Sequence, residues 1–586
     1  MFGTDRTVAT RIALAAFGGL GGLCLYILIE IVDDDVISGR AFLVTSIFLG
    51  WFFGLALGTV GPLPMRKALI AGLMVAVPVA TLVTLASYRF ETIDDFLESF
   101  PLFAALLCLF ALPGPFLITG LRDGLIFDYA SLFDEAWQAV VRISAAFVFQ
   151  GVFWALLLLS SALLGLVGLD FIEDLFELDG AVPVLSGIVV GLAIAVANEL
   201  SDYVSPSLVL RLLRLLLPVL AVVVAIFVAA LPLRGLSGLF GNLSAAATLM
   251  GMSFVGLTLI SVTLDRDAEE EAGSGTLRLS VQVMALLLAV IGLLACYAVW
   301  LRVDQYGWTP ARLAAMAGAV IAALYGLAYA AAIVLRGAWS QRIRQINVAM
   351  ALITVAIAAL WLTPLLNPER ISSNHQIARF ERGEITAEAL DLWTIRNDWG
   401  RAGTAAIARL SDPAHPRAGD LEPRLALLDS AASAYEFQSA VPPESLAADI
   451  ETLRGMLAVT GEADALPEAF FQSVGAGRIS YWIAGCERST PGGNPGCVAV
   501  IADFLTTSPG LEVFVITMQT SRSIGVNTHG SANAGFRELR PNSLPQPIYT
   551  GLPPEVIDRI RSGAFVIGAP GINALRVRGV EIFAVP

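Results

Sequence analysis

Eleven long apolar stretches occupy the first 366 residues of this 586-residue chain, and the remainder is polar. A bilayer core of about 30 Å needs about 20 apolar residues in a helix, because every backbone polar group in hydrocarbon must find its partner within the chain. The pattern therefore predicts an all-α polytopic membrane bundle of about eleven transmembrane helices. A soluble α+β C-terminal region should follow, with a helical part and then a small β-rich domain. The predicted spans start near Arg11, Ala41, Lys67, Phe100, Ile143, Ala181, Leu208, Leu243, Leu279, Leu313 and Ile346, and the last ends near Leu366.

The composition supports the membrane class and argues against nucleic-acid binding. Apolar residues make up 56% of the chain and charged residues 15%, and the mean hydropathy is +0.74. Soluble domains usually have about 45 to 50% apolar and 25% charged residues. The net charge of -14 offers no basic face for a phosphate backbone. We therefore expect the lipid bilayer as a partner and no nucleic acid.

The distribution of Arg and Lys predicts the orientation of the bundle. An odd number of spans places the two termini on opposite sides of the membrane, and loops rich in Arg and Lys are usually cytoplasmic. One set of loops carries thirteen such residues, Arg6, Arg11, Arg66, Lys67, Arg122, Arg142, Arg211, Arg214, Arg266, Arg278, Arg336, Arg342 and Arg344. The other set carries five, Arg40, Arg89, Arg234, Arg302 and Arg312. The N-terminus should be cytoplasmic and the C-terminal region periplasmic, in a multi-pass protein of the inner membrane.

Two cysteines in the tail provide an independent indication of the compartment. Cys486 and Cys497 flank a loop rich in Gly and Pro, and such a pair is expected to form a disulfide that clasps a hairpin in an oxidising periplasm. The alternative is two reduced thiols in a cytosolic loop. A zinc site needs four ligands, and the three histidines, His375, His415 and His529, are not at ligand spacing. We expect no metal and no cofactor.

The pattern divides the chain into a bundle over 1–366, a helical extracytoplasmic region over 367–475 and a β-rich extracytoplasmic domain over 476–586. An acidic, Gly-rich cytoplasmic linker is predicted near 265–278. Amphipathic helices on the membrane surface are predicted over Gly124 to Arg142 and Asp170 to Leu178. Strands are predicted at Ile479 to Ala484, Cys497 to Phe504, Leu511 to Met518, Ala564 to Ile567 and Leu575 to Val585, and a helix near Pro553 to Arg561.

Two segments carry a family resemblance. The loop Arg302 to Arg312 reads RVDQYGWTPAR, in which Thr309 can cap the next helix. The segment Asn367 to Gly383 reads NPERISSNHQIARFERG and leaves the last span. Together with the polytopic first half, these segments resemble an uncharacterised bacterial membrane-protein family, domain of unknown function 4153. The resemblance implies a bacterial inner-membrane location, and it implies no reaction or ligand.

The sequence favours a protein that is not an enzyme, since no catalytic motif is recognisable in the tail. We interpret it as an anchoring, binding or signal-transducing envelope protein, with an envelope protein or lipid as partner. The residues expected to form an outer-face feature against which the tail packs are Tyr306, Trp308, Thr309 and Arg312, with Asn367, Arg370 and Asn374 beside them.

Two alternative functions stay open. One is a transporter or flippase for an apolar or lipid-like solute, which needs no buried charge in its path. The other is a glycosyltransferase that uses lipid-linked sugars, with a carboxylate of Asp33, Asp34 or Asp35 as its catalytic group. The substrate and the oligomeric state are left open by the sequence.

Overall fold

The computed structural model describes most of the chain as two compact units, Met1–Asp412 and Pro413–Pro586. The described residues are 2–33, 38–98, 100–199, 207–234, 245–266, 274–431, 433–434, 437, 443–463, 465–467, 470–471, 474, 476–504, 511–520, 523–532, 535–538, 553–567, 574–577 and 580–583. The division between the units is near residue 412. The boundaries expected at 366 and 475 stay predictions.

The described part of the first unit is helical, apart from loops and turns. Its helices are α1 (Phe2–Asp33), α2 (Gly39–Thr59), α3 (Met65–Ser87), α4 (Ile93–Leu97), α5 (Phe100–Ala111), α6 (Pro113–Asp123), α7 (Tyr129–Gly165), α8 (Phe171–Glu177), α9 (Ala181–Glu199), α10 (Ser207–Arg214), α11 (Leu216–Arg234), α12 (Ala245–Leu264), α13 (Gly275–Tyr306), α14 (Pro310–Val334), α15 (Trp339–Trp361), α16 (Pro368–Glu381), α17 (Leu392–Asp398) and α18 (Gly400–Leu410).

Eleven apolar segments among the described residues are long enough to cross a membrane, which confirms the predicted polytopic bundle. They are Val8–Val32, Gly39–Thr59, Met65–Ser87, Leu102–Asp123, Tyr129–Gly165, Ala181–Glu199, Val209–Pro232, Ala245–Leu264, Gly275–Tyr306, Pro310–Val334 and Trp339–Trp361. Two of them consist of consecutive helices, α5 with α6 and α10 with α11. Pro113 lies in the first turn of α6, where its missing N–H is tolerated.

Glycines allow α1 and α9 to pack backbone against backbone. A Cβ added at Gly18 would lie 2.1 Å from the carbonyl oxygen of Gly187, and one at Gly22 would lie 2.0 Å from that of Pro183. Small residues at such crossings let membrane helices approach closely. The close approach maximises van der Waals contact, which drives association in lipid because the hydrophobic effect does not. This packing places the C-terminal end of α9 beside the start of α1.

The surface helix expected over Gly124 to Arg142 was predicted wrongly. A single helix, α7, runs for 37 residues, and the side chain of Asp128 caps its start by accepting a hydrogen bond from the Ser131 backbone N–H at 3.0 Å. Phe133 on its aromatic face is buried against Leu210 and Val262. The amphipathic pattern thus reflects packing on α10 and α12. The second predicted surface helix corresponds to α8.

The second unit combines helices with a mixed sheet. Its helices are α19 (Ala418–Ser430), α20 (Pro443–Met456), α21 (Ala476–Cys486) and α22 (Glu555–Arg561), and its strands are β1 (Ala458–Gly461), β2 (Cys497–Ala502), β3 (Glu512–Thr520), β4 (Ser523–Ala532), β5 (Gly535–Glu538), β6 (Ala574–Val577) and β7 (Val580–Phe583). The five strands β1 to β5 lie in sequential order, with β1 parallel to β2 and the other neighbours antiparallel, and β6 and β7 form a separate antiparallel pair.

Helices cover both faces of β2, all six residues of which are buried. Ala499 and Ile501 contact the core that contains Trp482 of α21, while Val498 contacts Ile557 of α22. The strand predicted at Ile479 to Ala484 is wrong, because this segment forms part of α21. A helix buries Ile479, Trp482 and Cys486 on one face, since they are spaced by three and four residues. The strand predicted at Ala564 to Ile567 is irregular instead.

Candidate functional site

The loop between α13 and α14 has the local structure that its sequence predicts. Thr309 is the N-cap of α14, and its Oγ1 accepts a hydrogen bond from the backbone N–H of Arg312 at 3.3 Å. The Arg312 guanidinium folds back and donates to the carbonyl oxygens of Tyr306, at 3.3 Å, and Gly307, at 2.7 Å. It also lies 5.4 Å from the centre of the Tyr306 ring, within the range of a cation–π contact. Tyr306, Thr309 and Arg312 are therefore brought together.

Helix α16 of the tail lies directly against this loop. The Nε2 of Gln376 donates to the carbonyl oxygens of Tyr306, at 2.8 Å, and Trp308, at 3.1 Å. Arg379 Nη2 donates to the carbonyl oxygen of Gln305 at 3.1 Å, one turn further along α16. The backbone N–H of Trp308 donates to Nδ1 of His375 at 3.3 Å. The backbone at the C-terminal end of one span and the start of the next is therefore held by three side chains of the tail.

The three tail residues expected beside the loop have other roles. Asn367 caps α16, because its Oδ1 accepts a hydrogen bond from the backbone N–H of Arg370 at 2.8 Å. Asn374 accepts a hydrogen bond from Arg409 of α18 at 2.8 Å. Residues 367, 370 and 374 share one helical face, and residues 375, 376 and 379 form the neighbouring face that meets the loop.

Arg89, which follows α3, is a second contact between the bundle and the tail. Its Nη2 donates to the carbonyl oxygens of Trp361, Thr363 and Leu366, at 2.8, 2.5 and 3.0 Å. Its Nη1 lies 3.6 Å from Oε2 of Glu369 in the first turn of α16. Its own carbonyl oxygen accepts a hydrogen bond from the N–H of Arg401 at 2.8 Å. One residue thus connects the loop after α3 with the end of α15, α16 and α18.

The sequence offered no local signal for the role of Arg89. In the sequence it is only one of five cations in the sparsely charged loops, because its partners lie more than two hundred residues away. Gln376 and Arg379 are equally inconspicuous, because a Gln and an Arg at i and i+3 are common on exposed helices. Only the tertiary structure places their side chains on backbone carbonyls.

Burial shapes the electrostatics of this junction, which we define as Arg89, Glu369, His375, Gln376, Arg379 and the loop 305–309. Burial raises the pKa of Glu369 above its ordinary value of 4.5, and the neighbouring Arg89 opposes that shift. Burial likewise lowers the pKa of Arg89. For His375, burial and then the positive charges of Arg379 and Arg382 lower the pKa below 6.5. The neutral imidazole is the form that can accept the Trp308 N–H.

The contacts of the junction fix the positions of helices, and its described side chains do not form a recognisable catalytic group. Its cationic and amide donors are directed at main-chain carbonyls, a use that fixes the relative position of helices. In the parts of the chain that the structure describes, His, Cys, Asp and Glu residues form no group of three or more that could hold a metal ion. The chemistry available here is the formation and loss of polar contacts between α16 and the ends of the spans.

The chain matches the model of a protein family described as domain of unknown function 4153 over residues 44–410. That is more than half of its length. The chain belongs to this family. The match to domain of unknown function 4153 ends at residue 410 and the first compact unit ends at Asp412. The family region therefore includes α16, α17 and α18 together with nine whole spans of the described residues and most of a tenth, α2. Searches of curated proteins and of solved structures found no match.

The disulfide expected in the tail lies outside the family region. Cys486 and Cys497 are bonded, with their Cα atoms 4.8 Å apart. The bond joins the last residue of α21 to the first residue of β2, and in the loop that it closes Ser489 and Pro495 form an isolated antiparallel bridge. The intervening loop is held from the other side by Asp558 of α22, whose carboxylate accepts hydrogen bonds from Asn494 Nδ2 at 2.7 Å and the Gly492 N–H at 2.9 Å. Thr490 also donates to this carboxylate.

Proposed function

We propose that this chain is a bacterial inner-membrane protein that anchors a periplasmic C-terminal region and transmits its movement to the membrane bundle. Its N-terminus would be cytoplasmic, as the excess of Arg and Lys in one set of loops suggests. The bond between Cys486 and Cys497 supports an oxidising compartment for the tail. Its partner would be an envelope protein or lipid bound outside the membrane.

The observation that carries the proposal is the set of contacts from the junction to the ends of four spans. Arg89 follows α3 and binds carbonyl oxygens at the end of α15. Gln376 and Arg379 bind carbonyl oxygens between α13 and α14. These carbonyl oxygens belong to the backbone at the ends of the spans, so they cannot be displaced without displacing the helices. A displacement of α16 by a bound partner would therefore act on α3, α13, α14 and α15 together.

Rigid helices joined by polar contacts carry coupling only if the contacts can be exchanged. The junction meets this requirement, because its contacts are hydrogen bonds from side chains to main-chain carbonyl oxygens, which can break and re-form without any covalent change. Each net hydrogen bond of this kind contributes about 1 kcal/mol, and those from charged donors contribute about 1.5 to 3 kcal/mol. A partner that bound α16 with a modest differential affinity could therefore loosen or tighten the junction.

Hydrogen exchange of the full chain in nanodiscs tests the coupling. In the double variant Arg89→Ala, Gln376→Ala we expect faster exchange in α16 and also at the facing ends of α13, α14 and α15. Arg382→Ala is the matched control, because Arg382 pairs with Glu384 at the surface and both side chains are about half exposed. Faster exchange confined to α16, or equal effects of the double variant and the control, would contradict the coupling.

The orientation is tested separately with reporter enzymes fused after Pro586 and within residues 267–273. We expect a periplasmic reporter to be active only after Pro586 and a cytoplasmic one only in the internal linker. Activity of the cytoplasmic reporter at the C-terminus would overturn the proposed topology. The hydrogen-exchange experiment would still test the coupling in that case, because it depends on the contacts of the junction and not on the compartment of the tail.

The transporter and the glycosyltransferase remain the alternatives. For the transferase, Asp34 and Asp35 lie outside the described residues, and Asp33 is the last residue of α1. An assay of lipid-linked sugar transfer with Asp33, Asp34 and Asp35 replaced by Asn tests that alternative. The transporter alternative predicts solute uptake or lipid scrambling by proteoliposomes, which a purely coupling protein lacks.

A further inference from the structure

A polar cavity that shares no residue with the junction lies at the end of the bundle that faces the Arg-rich loops. It is formed by α1, α6, α7, α9 and the loop between α2 and α3, and its volume is about 540 Å³. Ligand pockets usually measure about 300 to 1,000 Å³. Its charged and amide lining consists of Arg122, Glu135, Gln138, Arg142, Asn198 and Glu199. Arg122, Asn198 and Glu199 lie at the ends of α6 and α9, and Arg142 lies further inside α7.

Arg142 carries a buried positive charge that only neutral groups contact. Its side chain is 7% exposed. Nη1 donates to Oδ1 of Asn198 at 3.3 Å, and Nη2 donates to the carbonyl oxygen of Gly58 at 3.2 Å. Among the described residues, no carboxylate lies within ion-pair distance of it. Glu135 is close enough to attract this charge but does not contact it. A buried charge without a contacting counter-ion is unfavourable, so an anion held directly against the guanidinium would be stabilised by it.

Glu135 presents the complementary charge on the same helix. It is 3% exposed, and its Oε1 accepts a hydrogen bond from Arg122. Its second oxygen, Oε2, is buried and has no hydrogen-bond partner among the described residues. A buried carboxylate oxygen usually accepts a hydrogen bond. A donor supplied by a ligand would satisfy it.

The spacing of these two residues indicates a ligand with two charges of opposite sign. Glu135 and Arg142 are seven residues apart, which is two turns of α7 and about 10.5 Å along its axis. Both therefore face the same cavity, one as a hydrogen-bond acceptor and the other as a cation. An Arg guanidinium can donate two parallel hydrogen bonds to two oxygens of one phosphate or carboxylate. A primary ammonium donates up to three hydrogen bonds.

We propose that this cavity binds a zwitterionic group, a phosphate or carboxylate held by Arg142 with a primary ammonium held by Glu135. An ethanolamine phospholipid headgroup and a free amino acid both carry this chemistry. The polar lining of the cavity suits either of them. The cavity shares no residue with the junction, so ligand binding here can be tested independently of the proposed coupling function.

Thermal unfolding of the full chain in nanodiscs tests the proposal. The probes are phosphatidylglycerol bilayers alone, the same bilayers with phosphatidylethanolamine or phosphatidylcholine, and phosphatidylglycerol bilayers with soluble phosphoethanolamine or alanine. We expect phosphatidylethanolamine or a soluble primary amine to raise the Tm by at least about 2 °C. Phosphatidylcholine should not, since its quaternary ammonium has no N–H to donate to Glu135.

The arms separate the two sources of the zwitterion. A shift with phosphatidylethanolamine and not with alanine assigns the lipid headgroup, and the reverse assigns a soluble amino acid. The variant Glu135→Gln keeps the size of the side chain and should abolish the ligand-dependent shift, with an affinity loss of about tenfold or more. Asp123→Asn is the control, because Asp123 also pairs with Arg122 and is about one-third exposed.

The ligand-dependent shift is compared within each variant, so a change in the Tm of the unliganded variant does not affect the result. Equal shifts in wild type and Glu135→Gln would overturn the proposal. Equal shifts with phosphatidylethanolamine and phosphatidylcholine would do the same, and so would the lack of a shift with every primary amine. A binding measurement by native mass spectrometry on Arg142→Gln should show the same loss.

Discussion

Arg89 and Glu369 form an ion pair between the loop after the third span and the first turn of α16, with 3.6 Å between Nη1 and Oε2. Both side chains are more than nine-tenths buried. The same guanidinium binds three carbonyl oxygens at the end of the last span. The first helix of the tail is therefore packed as part of the membrane unit.

Replacing Arg89 should be among the most destabilising single changes in this unit. Arg89→Ala leaves the Glu369 carboxylate buried without its partner, and breaking a buried pair in this way costs about 3 to 5 kcal/mol. Unfolding in mixed micelles measures the free energy. Arg382→Ala, at a surface pair, should change it little. If the two variants lose equal stability, the buried pair does not hold α16.

His375 should make the junction weaker at acidic pH. Its folded-state pKa is lowered below 6.5, so the unfolded chain takes up a proton before the folded chain does. The associated stability is fully present above pH 6.5 and is lost as the pH falls through 6.5 toward the folded-state pKa. The difference in Tm between wild type and His375→Gln, recorded from pH 8 down to pH 5, isolates this contribution. We expect the wild type to lose stability relative to the variant, and a constant difference would contradict the assignment.

Gly307 should resist substitution for two separate reasons. Its φ is +74° and its ψ is 175°, a region that only glycine adopts readily, at a cost of about 1 to 3 kcal/mol for other residues. A Cβ would also lie 2.5 Å from Nε2 of Gln376. Gly383→Ala is the control, since Gly383 has a φ of +73° and open space around its Cβ position. Gly307→Ala should be the more destabilising change and should increase hydrogen exchange in α16. Equal effects would mean that the contact with Gln376 contributes nothing.

The crossing of α1 and α9 should depend on Gly18. A methyl group there would lie 2.1 Å from the Gly187 carbonyl oxygen, so the helices must separate, and overpacking of this kind costs about 1 to 3 kcal/mol. Gly50→Ala, in α2, adds a methyl group where nothing lies within 4 Å and should be nearly neutral. The measurement is the Tm of the two variants in the same detergent. A Tm of Gly18→Ala equal to that of Gly50→Ala would show that the two helices are not closely packed at Gly18.

Reduction should loosen the second unit without unfolding the first. The disulfide closes a short loop between Cys486 and Cys497, which is worth somewhat less than ~3 kcal/mol. The double variant Cys486→Ser, Cys497→Ser should therefore unfold in its second unit at a lower temperature. Limited proteolysis of residues 413–586, compared with residues 1–412, measures this. Unchanged protease sensitivity in the variant would mean that the bond adds no stability.

Local features of the junction could be predicted because they depend on neighbouring residues. The cap of Thr309 on α14 joins residues three positions apart. The contacts of Gln376, Arg379 and Arg89 join residues more than sixty positions apart. No periodicity or spacing in the sequence encodes those pairings.

The sequence by itself determined the number and place of the spans, because the thickness of a bilayer sets a length of apolar helix that is visible in any window of the chain. It also predicted the bond between Cys486 and Cys497, which the structure contains. Only the tertiary structure decided that the tail's first helix belongs to the membrane unit, that Ile479 lies on a helix and that Arg142 and Glu135 face one cavity. These outcomes depend on which surfaces meet, and hydropathy measures only how much surface must be buried.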